Sequence, residues 1–143
     1  MKKNKPLFYL SVILAILTIP LGMKIWPPAP GTPMPTPMQL PFFVLLSLFE
    51  ALSFGVGFYF LIDGMNLLKK FKVENRLTIL THLAISWTII SWWPHDHIHM
   101  HNGMDITGLL FIEYGFHVTL ILSGLIIAKF FYKTLQVNNK KYE

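Results

Sequence analysis

Residues 41–68 read PFFVLLSLFEALSFGVGFYFLIDGMNLL. Only Glu50 and Asp63 in this stretch carry charge at neutral pH. A hydrocarbon layer about 30 Å thick is crossed by about 20 helical residues. The segment therefore predicts a transmembrane helix, long enough to cross with tilt. Its Gly57 and Gly64 lie seven apart on one face, where small residues let a neighbouring helix approach.

Three more apolar runs flank this one. The first, 7–25, follows Lys2, Lys3 and Lys5. A basic start before an apolar core also describes a signal peptide, but no small-x-small cleavage motif follows, so an uncleaved helix kinked by Pro20 is expected. The others are 77–93, which Pro94 should stop, and 106–132, with Asp105 as its N-cap. The fold class predicted is an all-α integral membrane protein, a four-transmembrane-helix bundle forming a single domain over 1–143. Two connectors join helices on one side. One, 26–41, holds Pro27, Pro28, Pro30, Pro33, Pro35, Pro37 and Pro41 and should run extended. The other, 94–105, is a histidine-rich loop.

Composition agrees with the membrane class. Hydrophobic residues make up 53% of the 143 and charged residues 13%, about half the usual share for soluble domains. There is no cysteine, which excludes disulfides, thiolate metal sites and iron–sulfur clusters. The net charge of +5 does not point to nucleic acid, because the basic residues flank apolar runs. Lys2, Lys3 and Lys5, then Lys69, Lys70, Lys72 and Arg76, then Lys129, Lys133, Lys140 and Lys141 fall on one side of a four-crossing chain; Lys24 alone falls on the other. The positive-inside rule puts both termini in the cytoplasm and the proline and histidine connectors on the outer face of the plasma membrane. Trp26, Trp92 and Trp93 would form an aromatic belt there.

The chemistry concentrates in two places. The segment His95-Asp96-His97-Ile98-His99-Met100-His101 holds four of the six histidines, with Met104 and Asp105 beyond it. If extended, all four imidazoles share one side; if helical, His95/His99 and His97/His101 form two i, i+4 pairs. Either geometry can converge nitrogen ligands on zinc or copper, with thioethers favouring Cu(I). His95, Asp96, His97, His99 and His101 are the metal ligands expected here. Histidine clusters also serve as pH sensors.

Inside the membrane lie Glu50, Asp63, His82, Glu113 and His117, and ionisable groups there mark function by default. At about 1.5 Å per residue, Glu50, Glu113 and His117 sit roughly 13, 10 and 16 Å below the outer helix ends, close enough in depth to share one layer. They form an expected second metal site or a locking polar network. Asp63 and His82 form a possible second polar layer. The intramembrane imidazoles His82 and His117 differ in depth by roughly 12 Å, too far apart to ligate one haem iron. Glu113 to His117, with the outer segment, resembles the metal sites of membrane-bound copper or di-iron oxygenases, which use more ligands than this chain supplies in the bilayer.

These readings favour a membrane metal-handling protein over an enzyme, with a copper or zinc ion as cofactor. The alternatives are a small non-catalytic subunit of a larger membrane oxidoreductase or oxygenase complex, and a membrane-embedded metal-dependent oxidoreductase. Expected partners are the lipid bilayer, other membrane subunits or further copies of the chain. No catalytic residue, Walker motif or nucleophile elbow is identifiable.

Overall fold

The computed structural model describes residues 4–103 and 105–139. Lys2, Lys3, Met104, Lys140 and Lys141 lie outside the described residues. Among those described, every regular element is helical. The order is α1 (Lys5–Ile25), α2 (Leu40–Asp63), α3 (Met65–Leu68), a 3₁₀ turn (Lys69–Phe71), α4 (Asn75–Ile90), α5 (Trp92–Asn102), α6 (Ile106–Ile112), a π-helical turn (Glu113–Val118) and α7 (Thr119–Asn139). Three stretches are long and apolar enough to cross a membrane: Lys5–Ile25, Leu40–Asp63 and Ile106–Val137.

The expected third helix differs most from its prediction. Its apolar part, α4, has 16 residues and does not end at Pro94. The Ser91 amide bonds the Trp87 carbonyl and the His95 amide bonds the Ser91 carbonyl, so the chain runs from α4 into α5 with a break at Ser91. Pro94 falls in the first turn of α5, where proline is tolerated. The segment expected as a histidine-rich loop is thus helical to Asn102. Gly103, at φ 55°, closes it, and Asp105 caps α6 by accepting from the amides of Thr107 and Gly108.

Other ends shift less. The second helix was expected to reach 68; α2 stops at Asp63 and the chain turns through α3. The last helix was expected to stop at 132 and runs to Asn139.

Packing places α1 against α2, α2 against α4, and α4 against α7. These helices form a row, with α1 and α7 at its ends. α5 packs across one end of the helices themselves and touches α1, α2 and α6. Close approach depends on bare backbone. A Cβ on Gly55 would lie 2.8 Å from Ala15 Cβ on α1, and one on Gly57 would lie 2.6 Å from Ile90 Cγ1 on α4. Gly64, predicted to join Gly57 in this role, faces the Phe60 side chain of its own helix instead. At the end away from α5, Leu68, Leu77 and Phe130 form a buried cluster, with Phe60, Val73, Ile85 and Ile126 against it. Along the row, large apolar side chains such as Phe42, Ile106 and Phe111 are more than 70% exposed, as lipid-facing residues are.

Candidate metal centre

Helical geometry splits the histidines of α5 into two sets. Residues two apart on a helix point roughly 200° apart, whereas residues four apart share a face. His95 and His99 therefore face one way, with ring centroids 4.5 Å apart. His97 and His101 face the other way and are occupied by structure. The His97 Nδ1–H donates to the Trp93 carbonyl (2.9 Å), and its ring lies where a Cβ on Gly22 of α1 would be. The His101 Nδ1–H donates to the Pro27 carbonyl (2.7 Å). Ala29 N bonds the Met100 carbonyl beside it, so the proline connector is fastened to the end of α5.

The face carrying His95 and His99 meets His117 of the π-helical turn. One ligand atom from each of the three rings can be chosen so that all lie within 4.8 Å of one another. His95 Nε2 and His117 Nε2 are 3.1 Å apart. The other nitrogen of each of these rings is committed. His95 Nδ1 is 2.7 Å from Asp96 Oδ1, and His117 Nδ1 is 2.6 Å from Glu113 Oε2. A carboxylate accepts at Nδ1, so Nδ1 carries the proton, and in the neutral ring Nε2 presents its lone pair. Two lone pairs across 3.1 Å repel unless a proton, shared as an N–H···N hydrogen bond, or a metal ion sits between them. Two nitrogens bound at about 2.05 Å are about 3.3 Å apart at a tetrahedral angle and about 2.9 Å at a right angle. The separation suits a metal ion. Carboxylates behind the distal nitrogens are also the usual support of metal-bound histidine.

The π turn supplies this placement. Such turns insert one residue into an α-helix and recur at functional sites. Here Thr119 Oγ1 lies 2.7 Å from the Gly115 carbonyl and 2.9 Å from that of Phe116. Trp87 of α4 anchors the turn from the side. Its indole N–H donates to Thr119 Oγ1 (2.9 Å), and its ring stacks on Phe116 at 5.7 Å. Phe116 in turn meets His95 edge-on at 5.3 Å.

Glu50 joins the centre from behind. It is buried on α2, with Oε2 3.8 Å from His97 Nδ1 and its carboxyl beside that of Asp96. A line of polar groups runs Glu50, Asp96, His95, His117, Glu113 across α2, α5 and the π turn. Glu50 thus reaches His117 through Asp96 and His95, not by the direct contact expected of a Glu50/Glu113/His117 site. Asp63 and His82 take separate partners: the His82 Nε2–H donates to the Phe60 carbonyl (2.9 Å), and Asp63 accepts from the Tyr59 hydroxyl (3.5 Å). Trp93 also turns inward from its expected belt position. It packs on Trp26 and Phe54 and donates to the Thr18 carbonyl, while Trp92 stays exposed.

Comparison with protein families, with characterised proteins and with solved structures gives no match. The centre itself has to carry the functional argument. Sequence reasoning separated an outer histidine set from an intramembrane one; the structure merges parts of both. The signal for the merger was the shared i, i+4 spacing of His95/His99 and Glu113/His117. Nothing in the residue pattern singles out Trp87, Phe116 and Thr119, which hold the turn.

Proposed function

We propose that this chain is a membrane metal-handling protein, that the ion is zinc or copper, and that His95, His99 and His117 are its ligands. The observation that carries the reading is the pair of Nε2 atoms 3.1 Å apart, each with its Nδ1 against a carboxylate. Three imidazoles leave a further coordination position for solvent or an incoming ligand, as suits a site that accepts and releases its ion. Glu113 is half-exposed beside it, giving a charged approach for a cation.

In this reading the chain crosses the membrane four times, with α4 and α5 forming one crossing. α4 alone spans about 24 Å, short of the roughly 30 Å hydrocarbon thickness. With α5 it is long enough, and His99 stands about 34 Å along the axis from Arg76, at the outer boundary. The centre then opens towards the outer face, and both termini are cytoplasmic by the distribution of basic residues.

Protein purified without a histidine tag and dialysed against zinc or copper should retain one ion per chain by elemental analysis. H95A, H99A and H117A should each lose most of it. H101A should keep it, because His101 is engaged with Pro27. Retention of metal by the H95A/H99A/H117A triple variant would refute the assignment.

An alternative subunit role is favoured by one observation: only 11% of the apolar stretch within Ile106–Val137 is buried. A subunit of a larger complex would copurify with its partners through this face, whereas a self-sufficient metal handler would bring metal alone.

A further inference from the structure

Opposite the metal centre, a concave site lies between the start of α4 and the end of α7. Lys72, Arg76, Lys129 and Lys133 line it, with Glu74 the one acid, and Val73, Leu77, Leu80 and Val137 form apolar walls. Lys129, Lys133 and Val137 fall at i, i+4, i+8 on one face of α7. Lys72 is held at the rim by a left-handed backbone, φ 56°. The site also contains the first turn of α4, whose N-cap position, Glu74, makes no side-chain capping bond. Helix N-termini carry partial positive charge and free amides, which favour an anion. Among the described residues, Lys72, Arg76 and Lys129 enter no salt bridge.

We propose that this cavity binds the phosphodiester headgroup of an anionic phospholipid, with the first acyl carbons against Leu77, Leu80 and Val137. Cations, an uncapped helix start and apolar walls in one cavity match a ligand charged at one end and apolar at the other. Depth agrees. Lys129 lies about 34 Å along the helix from Ile106, just beyond a hydrocarbon layer of about 30 Å. A free phosphate would use the cations and leave the apolar walls unused, so the lipid is the better fit. The assignment is independent of the metal centre.

Spin-labelled phosphatidylglycerol and phosphatidylcholine, compared in vesicles holding the purified protein, measure the preference directly. Wild type should immobilise the anionic lipid at least about threefold more strongly than the zwitterionic one. R76Q/K129Q/K133Q should bring the ratio close to one. K69Q/K70Q, which removes charge at the same end outside the cavity, should leave it unchanged, and inorganic phosphate should not displace the lipid. Metal content should be the same in all three proteins. If the triple variant fails to reconstitute, K129Q, altered at an exposed side chain, should still lower the ratio. An unchanged ratio in the cavity variants, an equal loss in K69Q/K70Q, or displacement by phosphate would each overturn the proposal.

Discussion

Two of the three imidazoles of the candidate centre are paired with a carboxylate one or four residues away, His95 with Asp96 and His117 with Glu113. That pairing fixes the tautomer and makes the Nε2 atom a better donor to an ion. Removing the acceptor while keeping the shape should weaken binding without destroying the site. Glu113→Gln is therefore expected to lower zinc or copper affinity about 10- to 100-fold, read by competition with a chromophoric chelator. Unchanged affinity would mean that the Glu113–His117 bond only locks the helix. Binding should also weaken as pH falls through about 6.5, where free imidazole protonates and protons compete for the ligand atoms. A pH titration of retained metal checks the sign, and tighter binding in acid would contradict it. Glu113 and His117 were legible in the sequence as an i, i+4 pair. The division of labour within His95–His101 was not, because alternate spacing reads equally as one face of an extended chain or two faces of a helix. Only the backbone conformation decides between them.

The helices were legible as apolar runs, and their ends were legible where a side chain or proline acts locally. The Asp105 cap follows from residue type, and its bonds to Thr107 and Gly108 bear it out. Pro94 misled because proline breaks a helix interior but not a first turn, and nothing local shows that a helix will restart at Trp92. The π turn was equally hidden, since Glu113–Val118 has no composition that separates it from a plain helix. α5 depends instead on tertiary contacts: Trp93 on Trp26 and Phe54, His97 in the space above Gly22, and His101 on Pro27. Gly22 is the most exacting of these, because a Cβ there would lie 1.9 Å from His97 Nε2. Gly22→Leu should push α5 away from α1 and destabilise the chain by about 1–3 kcal/mol, the usual scale for overpacking. Denaturation in mixed detergent micelles would measure it. Wild-type stability in this variant would show that α1 does not hold α5 in place.

At the scale of the whole chain, the row of helices has its polar centre at one end and its basic cavity at the other. This polarity implies an orientation. Cationic residues at the ends of α3, α4 and α7 are hard to translocate, so that end should stay in the cytoplasm. The proline connector between α1 and α2 then lies outside, with Met34 about 85% exposed at its middle. His99, which a loop reading would place in open solvent, packs instead against His95 in the candidate metal centre and is a poor reporter of topology. Met34 and Lys70 are better positions, and the absence of cysteine makes each a clean single-label site. In intact cells, Met34→Cys should react with a membrane-impermeant maleimide. Lys70→Cys should react only after the membrane is permeabilised. Four crossings require Lys70 and the C-terminal Gln136 to behave alike, so Gln136→Cys should also be protected in intact cells. If α4 and α5 did not cross, α7 would carry the C-terminus to the side opposite Lys70. Gln136→Cys would then label from outside while Lys70→Cys remained protected. That result would leave a three-crossing chain with its histidine helix on the cytoplasmic side, and the ion would have to arrive from within the cell.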